Sequence, residues 1–371
     1  MIKLSKSSIS DAEKKAVMGV LDREYLGMGK EVQQFEEDLK VFFGRPVACV
    51  ANGTAALHLA CQAIGLGPGD EVLVQSLTYV ASFQAISATG ATPVACDIDP
   101  VTLTLNLKDA ENRITSKTKA VMPVHYAGGV GDLDGIYQFA KRHGLRVIED
   151  AAHAFGSKFQ GQVVGGFGDI ACFSFDGIKN ITSGEGGCIV SNDEAILKKV
   201  RDARLLGVIK DTERRFNSER SWDFDVTNQG WRYHMSNIMA AIGIEQLKRF
   251  SQMAEQRQRI AKKYDSLLSE VPNVEIFNHD YENVVPHIYV IQCDPLSREK
   301  LRQALNKKDI QSGIHYQPNH FLTLYGKISD SLPIVENIYP CLLSLPMHVG
   351  ITDKDVELIC RELKSEVIYH K

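Results

Sequence analysis

Four short stretches of this chain carry residue types that could jointly hold and activate one kind of ligand. Lys179 lies in Phe173-Ser174-Phe175-Asp176-Gly177-Ile178-Lys179-Asn180, just before Thr182-Ser183-Gly184-Glu185-Gly186-Gly187. Dense glycine lets backbone pass close to a bulky group, and a lysine between such a segment and an aromatic strand can have its amine pKa lowered enough to form a Schiff base. Any single lysine is more often a solvated surface residue, but this setting argues otherwise. Ser174, five positions before Lys179, can add a hydroxyl to a phosphate. Asp150, in Glu149-Asp150-Ala151-Ala152-His153, follows an apolar run. A buried acid there is costly unless it meets a cation such as a protonated pyridine nitrogen, and His153 can hydrogen-bond a ring oxygen. Taken alone, Asp150 also fits a helix cap or a magnesium ligand.

The other two stretches are weaker singly. Asn52-Gly53-Thr54 stands where a strand pattern gives way to a helix pattern. Free N–H groups at a helix start suit phosphate, with Gly53 allowing close approach. An ordinary helix capped by Thr54 is the better reading of that stretch by itself. Tyr79 follows a strand end and offers a flat ring for stacking; alone it reads as a core tyrosine. In this order and spacing, the four address one problem: binding the phosphorylated aromatic aldehyde pyridoxal 5'-phosphate and making it an electron sink.

The elements that must position these residues are visible as alternating patterns. Runs rich in β-branched residues at 47–50, 71–74, 92–97, 120–124, 145–149, 170–174 and 187–191 read as strands. Helical patterns at 55–64, 82–89 and 133–143 separate several of them. Strands apolar on both faces, alternating with helices, predict an α/β fold with a mostly parallel sheet covered on both sides. Further on, 196–206 reads as a helix, 210–228 as a loop and 235–261 as one or two long helices. Strands at 274–293 and 314–316, with helices at 297–307 and 353–364, predict a smaller α/β unit. The large domain is placed at 1–250 and the small one at 251–371. The amphipathic stretch 9–21 is assigned a helix that packs on the smaller domain.

Composition narrows the class. A net charge of −4 gives no basic field for nucleic acid or an anionic membrane. No apolar run spans a bilayer, and Met1 leads into a polar stretch, so the chain reads as cytoplasmic. Eight scattered cysteines without a C-x-x-C pair fit buried thiols better than disulfides or zinc ligands. His315 and His320 have metal-like spacing without a third ligand, so no metal is expected.

The segments GTAALHLA, IEDAAHAFG and SF…K-N…GEGG, in this order, resemble the DegT/DnrJ/StrS sugar aminotransferases. The likeness covers nearly the whole chain. It implies a fold type I transferase, with Lys179 as the Schiff-base lysine and Asp150 on the pyridine nitrogen. Gly53, Thr54 and Ser174 match the phosphate cradle, Tyr79 the stacking ring, and His153 a position often held by Gln. Arg232, in Gly230-Trp231-Arg232-Tyr233-His234, stands where an Asn usually reaches the partner subunit's phosphate. His234 replaces the usual Arg, so no donor-carboxylate contact is carried over to that position, and Asp176-Gly177-Ile178 departs from the family's usual residues before the lysine. Gly27, Met28 and Gly29, with His315 and Tyr316, are assigned to the sugar entrance; an ordinary turn and a core-edge pair read as well.

The implied reaction moves an amino group from L-glutamate to a keto-sugar nucleotide, at C-4 rather than C-3, in a homodimer with interfacial active sites. A dehydratase of the same fold has His at the lysine position, so Lys179 argues against it. A dinucleotide-dependent enzyme needs G-x-G-x-x-G, and Gly27-Met28-Gly29 lacks the third glycine. A silent ligand-binding protein of this fold has no reason to keep Lys179, Asp150 and Ser174 together.

Overall fold

Short runs of Val, Ile, Ala and Cys with both faces apolar can be buried only inside a sheet covered on each side. Seven of them form the central sheet of the computed structural model, which describes residues 1–219, 222–326 and 330–369. They are β1 (Val47–Val50), β2 (Glu71–Gln75), β3 (Thr92–Cys96), β4 (Thr118–Met122), β5 (Arg146–Asp150), β8 (Ile170–Ser174) and β9 (Gly187–Ser191), with a two-stranded hairpin, β6 (Lys158–Phe159) and β7 (Gln162–Val163), between β5 and β8. The spatial order is β1-β9-β8-β5-β4-β2-β3. All pairings are parallel except those of β9, which runs against both β1 and β8. The carboxyl ends of β1, β2, β4, β5 and β8 therefore share one edge, where ligands bind in such sheets.

Helices cover the sheet because their caps and stripes allow it. Helix Leu133–His143 starts at Asp132, whose carboxylate accepts from the Gly135 amide, and ends at Gly144 with φ 65°. Helix Lys30–Phe43, not anticipated from sequence, buries Val32, Phe35, Leu39 and Phe43 at helical spacing. Its Glu36 also points inward. Glu36 accepts from the Cys49 amide at 2.8 Å and pairs with Arg204, whose guanidinium is fully buried and donates to the Cys49 carbonyl at 2.6 Å. This pair ties the helix, β1 and the end of helix Glu194–Ala203 together.

A second sheet, β10 (Val274–Ile276), β11 (Tyr289–Cys293) and β12 (Leu342–Leu345), is antiparallel. It packs with helices Phe250–Leu268, Arg298–Lys307 and Asp353–Tyr369 around Ile260, Tyr264, Leu301 and Ile359. Several expectations are corrected here. Residues 314–316 are not a strand: only Gly313 bridges to Ser344, and the chain then turns toward the cleft, leaving Leu342–Leu345 as the third strand. The span 210–228 is not wholly loop, since Asp211–Phe216 is helical; its positions 220 and 221 lie outside the described residues. The first helix, Asp11–Asp22, packs against helix Asn237–Lys248, and it is Ile2 and Leu4 before it that bond to Asp309, Gln311 and Met347.

Removing one member of a buried ion pair leaves the other uncompensated, at a cost of about 3–5 kcal/mol. Glu36→Ala should lose stability on that scale, read from the urea unfolding midpoint. Glu36→Gln, which keeps an acceptor, should lose less.

Candidate active site

At the shared strand edge lies a cleft of about 480 Å³. It collects Asn52, Gly53 and Thr54 after β1, Thr78 and Tyr79 after β2, and Tyr126 after β4. From β5 come Asp150 and His153, from β8 Ser174 and Lys179, and from the distant C-terminal region His315 and Tyr316. Nine of the sequence-derived residues thus divide among five loops and meet in one place.

Each is held by identifiable contacts. Asp150 Oδ2 accepts the hydroxyl of Ser82 at 2.6 Å and Oδ1 the amide of Ala152 at 3.2 Å. Ser82 is itself buried and shares a hydrogen bond with Thr78 at 2.8 Å. Helix Gly53–Ala63 is capped by Asn52, whose side chain accepts from Ala55 N at 2.8 Å. Thr54, expected as the cap, sits inside the first turn and lines the cleft. At Gly53 a methyl group would stand 2.7 Å from Ser174 Cβ, so β8 and the helix start approach closely only because no side chain intervenes. The turn carrying Tyr79 is fixed from below by Asn319, whose amide donates to the carbonyls of Ser76 and Thr78 at 3.1 and 2.8 Å. The Tyr79 ring is 59% exposed, with its centroid 5.6 Å from that of Tyr316.

The electrostatics favour neutral nitrogen bases. Burial lowers the Lys179 amine to about 8, against the opposing pull of Asp150 and Asp176; Arg257 lowers it further. Burial and then the neighbouring Lys179 hold His153 well below the usual imidazole range and bring His315 to about 4. His153 Nε2 shares a hydrogen bond with the Tyr316 hydroxyl at 3.0 Å, while its Nδ1 is buried with no partner among the described residues. His315 is fixed through Nδ1 to Ser344 Oγ at 2.8 Å, and its carbonyl accepts from the Tyr126 hydroxyl.

This donor set fits a phosphorylated pyridine aldehyde. There is a close-packed glycine and a serine hydroxyl at a helix start, an amine with lowered basicity, a carboxylate fixed by two donors, and an unpartnered buried imidazole nitrogen. The remaining sequence-derived residues lie elsewhere. Met28 is fully buried beside Val32 and Phe35, and Gly29 is the N-cap of helix Lys30–Phe43, so the Met28 side chain cannot contact a sugar. Gly27 is also absent from the cleft wall. Arg232 is exposed and, with Trp222, Phe224 and His234, lines a separate depression rather than the cleft of its own chain. Ser82, Asn319, Tyr126 and His287 escaped sequence reading. Each contributes through a contact dozens to hundreds of residues away, which no local spacing signals.

Comparison with known proteins places this geometry in context. A model of the DegT/DnrJ/EryC1/StrS aminotransferase family matches residues 7–364. The spore coat polysaccharide biosynthesis protein SpsC of Bacillus subtilis is 36% identical over 370 residues, covering 97% of this chain and 95% of SpsC. The crystal structure of the aminotransferase TlmJ from Streptoalloteichus hindustanus superposes with a TM-score of 0.93 at 31% identity, covering 100% of both chains. The putative sugar aminotransferase Spr1654 of Streptococcus pneumoniae, in its PMP-form, gives 0.92 at 30% identity over 99% of this chain and 98% of its own.

Reductive methylation of Lys179 by formaldehyde and cyanoborohydride, followed by peptide mass spectrometry, should accelerate as pH rises, with a midpoint near 8. Above that pH the amine has lost its proton and is nucleophilic. A midpoint near the ordinary lysine value would contradict the burial of this amine. Gly53→Ala should leave the fold intact yet weaken binding of pyridoxal phosphate about tenfold or more, by displacing the helix start from Ser174. Equilibrium dialysis checks this.

Proposed function

The chain belongs to the DegT/DnrJ/EryC1/StrS aminotransferase family, and on that premise we propose that it transfers the amino group of L-glutamate to the keto carbon of a nucleotide-linked 4-keto-6-deoxy sugar. It is a pyridoxal-phosphate-dependent sugar aminotransferase; the similar Spr1654 has been solved in both PLP- and PMP-forms. The observation that carries the residue assignment is a lysine amine of lowered basicity sharing one cleft with a buried, doubly hydrogen-bonded aspartate.

When bound, the cofactor supplies an electron sink for charge developing at the carbon that loses its proton. The chain's own groups do the rest. Gly53, Thr54 and the amides of the helix start, with Ser174 Oγ, hold the phosphate. Asp150, kept in place by Ser82 and the Ala152 amide, holds a proton on the pyridine nitrogen. Tyr79 would stack on the cofactor ring, and His153, oriented by Tyr316, would address its oxygen. Lys179 Nζ anchors the cofactor, takes the proton from the donor's Cα, and in the second half-reaction delivers a proton to the sugar carbon that receives nitrogen.

The homodimer follows from the same reading. The exposed Trp222, Phe224 and Val226 form an apolar surface beside Arg232. Burying it against a second copy would let Arg232 reach the partner's phosphate site, where guanidinium can replace an amide donor. The smaller domain, 251–371, supplies His315 and Tyr316 to the cleft. No helix among the described residues is long and apolar enough to cross a membrane; a cytoplasmic enzyme making amino sugars for polysaccharide, as the name of SpsC indicates for that protein, is the setting we assign.

A panel of keto-sugar nucleotides differing in base and keto position, each supplied with glutamate, tests the function. We expect stoichiometric 2-oxoglutarate and a 4-amino product by NMR; a 3-amino product would overturn the regiochemistry, and no turnover with any member the reaction itself. Lys179→Ala should abolish both turnover and borohydride-trapped cofactor on the chain. Asp150→Ala should lower kcat by about 10²–10³-fold, the range for losing a fixed electrostatic contact to developing charge. Sedimentation of the active enzyme should give a dimer, and a fully active monomer would refute the shared site.

A further inference from the structure

The Lys179 amine has a neighbour that the reaction as derived does not use. His287 precedes β11, in the smaller half of the chain, and its side chain is 3% exposed. Its Nε2 lies 3.4 Å from Lys179 Nζ, within hydrogen-bond geometry. The ring packs against one neighbouring ring, and the backbone that carries it is held on both sides. The His153 ring sits 4.4 Å away between centroids, the His287 amide donates to the Ala127 carbonyl at 3.2 Å, and its own carbonyl accepts from the buried Arg257 at 3.3 Å. The ring's Nδ1 has no hydrogen-bond partner among the described residues, so the contact of Nε2 with Lys179 is the hydrogen bond that orients the imidazole.

We infer that His287 is a positioning residue for the catalytic lysine, its neutral Nε2 accepting a hydrogen bond from Lys179 Nζ whenever that amine is not bonded to the cofactor. This rests on Lys179 being the cofactor-anchoring amine. The groups facing His287 decide its protonation. Burial disfavours its charged form, and the cations Lys179 and Arg257, with His153 and His315, act in the same direction. The carboxylates nearest the lysine, Asp150 and Asp176, act instead on Nζ and favour its ammonium form. A neutral imidazole beside a lysine that gains and loses a proton serves two ends. It accepts more strongly from the ammonium than from the amine, so it steadies the protonated lysine after proton abstraction. It also holds a long, four-carbon side chain in one place, near the carbon that must next receive the proton.

The test separates this from a packing role. In apoenzyme, losing the acceptor should lower the midpoint of Lys179 reductive methylation in His287→Phe and His287→Leu by about one pH unit, since a hydrogen bond to a charged group is worth roughly that much. His287→Gln, which keeps an acceptor, should stay close to wild type. In holoenzyme, Phe and Leu should lower kcat about tenfold or more while KM for glutamate changes little, and Gln should recover most of the loss. Unfolding midpoints identify any variant that loses stability, and the Gln variant and the midpoint shift remain diagnostic if one of the apolar variants folds poorly. An unchanged midpoint together with wild-type kcat in Phe or Leu overturns the inference while leaving the aminotransferase reading intact. Absence of trapped cofactor on Lys179 in the wild type would overturn that reading first.

Discussion

The site is organised by a conflict over one proton. In the proposed reaction Lys179 must lose its charge, yet Asp150 and Asp176 stand close enough to favour the ammonium. Burial wins and brings the amine to about 8. That balance needs a dry pocket wall, and the dry wall needs the sheet edge, the C-terminal loop carrying His315 and Tyr316, and the His153–His287 ring pair. The neighbouring imidazoles are held neutral by the same burial, so they add hydrogen-bond capacity without adding charge.

A parallel sheet suits this demand because it sends several chain segments to one edge. β1, β5 and β8 each end beside the cleft, bringing Asn52, Asp150 and Ser174 together although they are far apart in sequence. The arrangement is held by polar contacts between layers. Ser82 fixes Asp150 from a neighbouring helix, and Asn319 supports the turn that carries Tyr79. The Glu36–Arg204 pair clamps the start of the sheet from behind. Ser82 and Asn319 restrict where cleft groups can point, and the ion pair holds the strand that precedes Asn52.

Much of this was legible residue by residue. The seven strands were readable from β-branched runs because a central strand is buried on both faces, and that leaves an uninterrupted apolar signature. Lys179, Asp150, Ser174 and Gly53 stood out because glycine density and an acid at a strand end are expensive unless a ligand requires them, and all four line one cleft. Met28 misled, since a glycine pair looks like a flexible loop whether or not its middle residue faces the core. The antiparallel direction of β9 was also hidden: an apolar run carries no information about which way it points.

The amino-acid sequence by itself determined the chemistry available, namely an amine, an acid and a phosphate cradle in fixed order along an alternating α/β pattern. Only the tertiary structure decided which distant groups complete the site. His287 reaches Lys179 across 108 positions, and Tyr316 reaches His153 across 163. Periodicity reports how a segment meets its nearest layer. Contacts of that range depend on how whole layers stack, and stacking is set by the summed packing of many residues rather than by the spacing of a few.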